Sequence, residues 1–214
     1  MLDSRRDIAL ACALSALAGY VDSVGFLQLG GLFVSFMSGN STRLGVSLAE
    51  GQWQNAAEAL GLIALFVLGA LAGSLIVLGR AARRQSRVLL AEASLIAAAA
   101  LGSALGLSSP AVAAIVLAMG LENAVFQVKG GGGLGLTYIT GALVKVGQHA
   151  AAALKGGPRW SWLPDLLLWA ALAAGCVCGA FAYQRINLAA IWFAAGAALA
   201  LSAVLAATPR AGHP

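Results

Sequence analysis

Apolar residues run along this chain in blocks. Six blocks, at 8–29, 59–79, 88–107, 110–128, 162–184 and 187–207, are each close to the length that lets a helix cross a bilayer. That crossing takes about twenty apolar residues for a hydrocarbon core roughly 30 Å thick. Two further blocks, 32–49 and 134–154, are less apolar and rich in glycine, serine and threonine. The pattern predicts eight helical segments, six of them long and greasy enough to span. The connection at 107–110, "LSSP", carries no charge and ends in Pro110, a residue suited to a helix start.

Composition sharpens the picture. The 214 residues are 60% hydrophobic and 10% charged, against roughly 25% charged in an average soluble domain. A globular surface cannot be covered with so few charges. The net charge of +5 sits in short clusters between apolar blocks, with Arg5 and Arg6 at the N-terminus and four arginines in "RAARRQSR" at 80–87. That is the distribution of membrane topology, and no nucleic-acid partner is expected. Residues 5–19, "RRDIALACALSALAG", share the basic start and apolar stretch of a secretory signal. The apolar block runs on past any cleavage site, so it is read as a retained first span. Cys12, Cys176 and Cys178 lie inside apolar blocks without disulfide or zinc spacing and are read as packing residues. His149 and His213 have no second ligand nearby. No metal, no cofactor and no enzyme active site is expected, because no Ser–His, metal or carboxylate-dyad spacing occurs.

The two halves echo each other. Residues 35–45 read "SFMSGNSTRLG" and residues 137–147 read "TYITGALVKVG". Asp22 aligns with Glu122, Phe26 with Phe126, "GALAG" at 69–73 with "GCVCG" at 175–179, and Arg80 falls near Arg185. Landmarks in the same order predict an internal repeat, 1–108 and 109–214, inside one integral membrane domain. Positive-inside topology puts both the N-terminus and 80–87 in the cytoplasm. An even number of crossings then separates them, although three segments lie between, so 32–49 does not fully cross. The first half crosses three times, which turns the second half upside down. The expected fold is an all-α membrane protein of six full transmembrane helices plus two partial, broken or re-entrant segments, in two inverted-topology repeats. It is placed in the bacterial inner membrane with both termini cytoplasmic. Lys155 and Arg159 then lie inside, while Arg185 lies outside against the rule. The alternative, in which all eight segments cross, would put 80–87 outside.

Inverted repeats with broken helices point to a transport site near the bilayer midplane. "FVSFM" and "LTYIT" have the β-branched and aromatic character of extended chain. Ser38 and Thr140 can cap a following half-helix, and Gly39 and Gly141 let backbone approach a ligand closely. The half-helix N-terminus is a natural anion seat. Arg43 and Lys145 occupy matching places, either as site cations or snorkelling to an interface. The candidate solute-binding residues are therefore Ser35, Ser38, Gly39, Asn40 and Arg43 in one copy, and Thr137, Tyr138, Thr140, Gly141 and Lys145 in the other. Asp22 and Glu122 are candidates for proton or ion coupling, for cross-pairing with Lys145 and Arg43, or for structural ion bridges. Tyr20, Gln28, Asn123 and Gln127 cluster nearby and could bind solute or tie broken backbone to a neighbouring span. The GxxxG stretches serve close helix packing, within the chain or in a homodimer. Lys129 and the glycines at 130–133 resemble half a phosphate loop but lack its closing Gly-Lys-Ser/Thr, and are read as the entry to the second partial segment. The expected function is transport or facilitated passage of a small anionic or polar solute. A channel through the same segments and a structural or accessory membrane subunit are the alternatives.

"GYVDSVGFLQLGGLFVSFMSGNSTRLG", together with "TYITGALVKVG", resembles the YoaK family of uncharacterised bacterial inner-membrane proteins. The resemblance covers nearly the whole chain. It implies a multi-span membrane protein and supplies no substrate. Ala142 stands where the first copy has Asn40, so the two half-sites are not expected to be equivalent. A looser analogy of fold links the chain to the sulfate-permease and nucleobase-transporter superfamily, which places two short extended stretches, each followed by a half-helix, face to face. This chain is much shorter, would lack most of their gate portion, and takes no substrate from the analogy.

Overall fold

A computed structural model describes residues 5–79, 84–126 and 139–207. Among the described residues there are helices and no strands: α1 (Arg5–Gln28), α2 (Met37–Ala49), α3 (Trp53–Leu78), α4 (Arg84–Ala104), α5 (Ser108–Glu122), α6 (Ile139–Leu154), α7 (Leu163–Ile186) and α8 (Ile191–Ala207). Short 3₁₀ turns follow α5 at Asn123–Phe126 and α7 at Asn187–Ala190. Four helices, α1, α3, α4 and α5, start earlier than the apolar blocks that announce them. α3 takes in the polar stretch from Trp53, and α4 begins at Arg84, because a helix does not stop where its hydrophobic segment does.

Among the described residues, five helical runs are long and apolar enough to cross a membrane: Arg6–Gln28, Trp53–Leu78, Arg84–Ala104, Ser108–Val125 and Leu163–Ala207. The last is 45 residues, and the turn at Asn187, with φ of 51°, divides it into α7 and α8. The Tyr183 hydroxyl donates to Gln28 Oε1 at 3.0 Å, whereas the Tyr20 hydroxyl donates to the Ala190 carbonyl at 2.9 Å. The chain thus rises beside α1 and, after the turn, comes back down it. α2 has 13 residues and α6 has 16. At 1.5 Å per residue they are about 20 Å and about 24 Å long, short of the hydrocarbon core.

Two long interfaces organise the bundle, and both are made by glycine. Between membrane helices there is little hydrophobic drive, so small residues that let backbones approach supply the packing. α1 lies along α7: a methyl group on Gly175 would overlap the Ala16 carbonyl, one on Gly179 the Tyr20 carbonyl, and one on Gly19 the Leu172 carbonyl. α3 lies along α5 in the same manner, with Gly69 against the Leu117 carbonyl, Gly73 against that of Leu121, and Gly120 against that of Phe66. In each interface the paired residues advance together, so α1 runs parallel to α7 and α3 runs parallel to α5. The GxxxG faces are thus filled within the chain.

The other contacts run antiparallel. In the α4–α5 hairpin Gly102 lies beside Ala111, and Gln85 Nε2 donates to the Val125 carbonyl at 3.2 Å. In the α4–α8 pair, near the start of one helix and the end of the other, the Ser86 hydroxyl donates to the Ser202 carbonyl and the Ser202 hydroxyl donates to the Ser86 carbonyl, at 3.1 and 2.9 Å. The core between these helices holds Leu14, Val21, Leu89, Ile96, Ile115, Met119 and Ile191, all fully enclosed. Leu60, Val67, Leu71, Leu75, Phe181 and Phe193 face outward. Such an apolar outer face suits lipid and would be a liability in water. α2 packs on α3 and α6 on α7.

Gly175→Ala and Gly69→Ala are each expected to destabilise the protein by about 1–3 kcal/mol, the usual scale of overpacking. Gly196→Ala meets nothing within 4 Å and is expected to be neutral. Thermal unfolding of the three variants in detergent checks this.

Candidate functional site

Residues 29–36 leave the helix between α1 and α2. Irregular backbone at membrane depth must find partners within the protein, and two side chains supply them here. Asp22 Oδ1 accepts the backbone N–H groups of Val34 and Ser35 at 2.9 and 2.7 Å. Asn40 Oδ1 accepts the Phe33 N–H at 2.8 Å, and its Nδ2 donates to the Phe33 carbonyl at 2.7 Å. Asn40 is fully enclosed, and so is the Ser35 side chain to within a few per cent. An acid six residues before the end of α1 and an amide in the first turn of α2 thus staple the strap that joins them.

The strap reassigns several residues singled out in the sequence. Ser38 is the second residue of α2 and exposed; the cap position is Phe36, and no side chain caps the helix. The expected capping hydroxyl is absent, and Asn40 instead reaches back seven residues to hold Phe33 in the strap. The open face of Gly39 is covered by the rings of Phe33 and Phe36. Those rings stack in a chain, Phe26 to Phe33 at 4.9 Å and Phe33 to Phe36 at 5.2 Å between centroids. Gly39 is a seat for aromatics here, in place of the close ligand approach read from the motif. The Arg43 side chain, otherwise exposed, lays its guanidinium over Gly31, just past the carbonyl end of α1. A cation suits that position because unpaired carbonyls carry partial negative charge there. Gly31, at φ of 107°, adopts a backbone conformation that side chains disfavour and leaves the room the guanidinium needs.

The second copy is built differently. Thr140 is the second residue of α6, and Thr140, Gly141 and Lys145 are all exposed. Ala142, buried, takes the place of Asn40 and has no amide with which to clamp a strap. Thr137, Tyr138, Gln127, Lys129 and the glycines at 130–133 lie outside the described residues. α6 is tied to α7 by His149 Nδ1 and Asp165 Oδ2, 3.0 Å apart. Nothing in linear spacing announced that link. Among the described residues, no ion pair joins Asp22 to Lys145 or Glu122 to Arg43, so the cross-pairing alternative is not adopted.

The glycine contacts also refine the match between halves. Gly19 meets Leu172 as Gly120 meets Phe66, and Ala16 meets Gly175 as Leu117 meets Gly69. Gly19 therefore corresponds to Gly120, Asp22 to Asn123, and Val21 to Glu122. The two acids aligned by residue type are one position out of register. Asn123 carries the equivalent place and donates from Nδ2 to the Met119 carbonyl at 2.9 Å.

Glu122 keeps different company. Its neighbour is Glu92 of α4, a residue the sequence reading passed over because it sits one turn past an arginine-rich linker and reads as a surface charge. Glu92 and Glu122 are 0% and 1% exposed. Their four carboxyl oxygens have no hydrogen-bond partner among the described residues. The register of the α4–α5 hairpin puts them level within about a turn.

The profile of the family described as "Protein of unknown function (DUF1275)" matches residues 10–204, from the second turn of α1 almost to the end of α8. The chain belongs to the DUF1275 family. This bears out the resemblance to an uncharacterised family of bacterial membrane proteins. The DUF1275 match takes in the strap, both motif copies and both buried glutamates. The chain is also 35% identical, over 203 residues, to the UPF0700 transmembrane protein RA0705 of Rhizobium meliloti (strain 1021), with 95% of this chain and 88% of that protein aligned. No solved structure matches.

Asn40→Ala removes two buried hydrogen bonds and leaves the Phe33 N–H and carbonyl without partners. It is expected to destabilise by about 2–4 kcal/mol, since each orphaned buried group costs roughly 1–3 kcal/mol at most. Ala142→Ser, in the other copy, is expected to change stability by less than about 1 kcal/mol, within the usual range of a mild substitution. Denaturation in detergent micelles followed by tryptophan fluorescence separates the two.

Proposed function

We propose that this chain is a membrane transporter or facilitator for a small anionic or polar solute. Its helices would form two inverted repeats, and the solute would bind beside the N-terminal turns of α2 and α6. The observation that carries this reading is the set of helix directions. Were all eight helices to cross, α4 and α8 would run the same way, and they run oppositely. Were α6 alone to fall short, α1 and α7 would run oppositely, and they run in parallel. Only if both α2 and α6 return without crossing do all four pairings agree. The short lengths of α2 and α6 and the position-by-position match of the two glycine interfaces support the same scheme of six crossings and two partial segments. Inverted repeats carrying broken helices are the architecture of many secondary transporters, with the site at the half-helix ends. The fold alone names no substrate.

In this reading the two half-sites share the labour unequally. Asp22, Asn40 and Gly39 hold the first strap rigid and touch no solute. Ser38 and Arg43, exposed on α2, and Thr140, Gly141 and Lys145, exposed on α6, face the solute path. The two cations set its preference for negative charge. In this reading the chain lies in the bacterial inner membrane, and the positive-inside rule supports cytoplasmic termini.

A thermal-shift screen of small anions on purified protein tests the proposal. One or more anions are expected to raise the melting temperature, and Arg43→Ala and Lys145→Ala are each expected to abolish that rise while leaving the unliganded melting temperature within a few degrees. Flux of the same anion into proteoliposomes is expected to saturate. An anion response undiminished in both variants would remove the cations from the site, and tight proteoliposomes with no flux would remove transport.

A further inference from the structure

We propose that Glu92 and Glu122 form a proton-binding site inside the bundle, at least one of the two carboxyls holding a proton at neutral pH. Both side chains are sealed from solvent, at 0% and 1% exposure, and none of their four oxygens has a hydrogen-bond donor among the described residues. Two carboxylates so placed would be desolvated, unpaired and mutually repelling. Each of these conditions disfavours the charged form.

Among the described side chains no counter-charge is at hand to change that balance. α8 and both 3₁₀ turns contain no ionisable residue. α3 offers only Glu58, which is exposed. On α4 itself Arg87 is exposed, and Arg84 lies at the helix start, two turns before Glu92. α1 brings Arg6, exposed at its start, with Asp7, Cys12, Tyr20 and Asp22, none of them a cation. Asp22 is engaged with the strap amides, and the Tyr20 hydroxyl is given to Ala190.

A metal cation fits the place poorly. Hard cations take six or more oxygen ligands, or keep bound water. Among the described residues no group of three His, Cys, Asp or Glu side chains converges. A proton needs only one oxygen. The pair lies near the end of α5, which gives way to a 3₁₀ turn at Asn123, the residue after Glu122; as a hinge there, this turn would let the pair open. Parting α4 from α5 at this hinge would admit water and release the proton; closing would take one up. Acids facing a bundle interior commonly form proton relays. That this proton drives solute movement rests on the transport reading above. The site itself does not.

Infrared difference spectroscopy of the reconstituted protein tests the site. At neutral pH the parent protein is expected to show a protonated-carboxyl C=O band that survives exposure to D₂O. The band should fall or vanish in Glu92→Gln and Glu122→Gln, which mimic the neutral form and should melt no lower than the parent. Glu50→Gln, at an exposed position, should leave the band intact. The parent spectrum needs no variant, so a misfolding variant leaves the test intact: no such band in the parent overturns the proposal, and so does a band that neither glutamine variant alters. Proteoliposomes under an imposed pH gradient separate the two readings. A band assigned to the pair without solute flux keeps the site and sinks transport; flux without the band keeps transport and sinks the site.

Discussion

Close backbone contact across glycine is the constraint on which the rest of this structure hangs. Gly175 and Gly179 bring α7 against α1, and Gly69 and Gly73 bring α3 against α5. Membrane helices gain little from burying apolar side chains against one another when lipid is equally apolar. Direction and register must come from features that exclude alternatives, and a carbonyl that tolerates no Cβ opposite it is such a feature. With those two pairs fixed as parallel, the chain has few ways to connect them. In the reading proposed above, α2 and α6 change the chain's position without reversing it, and the antiparallel α4–α8 pair supports that scheme beside the two parallel ones.

A second constraint follows from the first. If α2 enters the membrane and turns back, as proposed above, the irregular backbone before it must be satisfied by protein. In the first half this is done by Asp22 and Asn40. The most conspicuous polar residues of the motif are therefore spent on holding it together. Ser38 and Arg43 remain exposed, and the transport reading assigns solute contact to them. In the second half Asn123 and Ala142 stand at the corresponding places.

Much of this was legible in the sequence because its signals are long-ranged and redundant. Apolar blocks near twenty residues have few other uses, so the helices and membrane class could be read directly. The arginine clusters and the weaker hydropathy of 32–49 and 134–154 pointed to two short segments, and α2 and α6 lie there. GALAG and GCVCG announced close packing, though not which helices they would meet. Individual roles were harder. Asp22 and Glu122 were aligned because both are acids, yet the steric register set by Gly19 and Gly120 displaces them by one residue. Ser38 was read as a cap from its type, but the strap needed an acceptor and a donor together, which only an amide such as Asn40 provides. Glu92 gave no local signal at all. Its burial depends on α5 folding back across α4, a tertiary event that spacing along the chain does not record. The pairing of His149 with Asp165 was hidden for the same reason.

The account stands on α2 and α6 entering the membrane without crossing it. Single cysteines at Gln52 and Ser161, in a background without Cys12, Cys176 and Cys178, test this by labelling with a membrane-impermeant maleimide from each face of sealed inner-membrane vesicles. The account predicts that the two sites react from opposite faces, Gln52 from the periplasmic side and Ser161 from the cytoplasmic side. Labelling of both from the same face would mean that the short helices cross, and would contradict it.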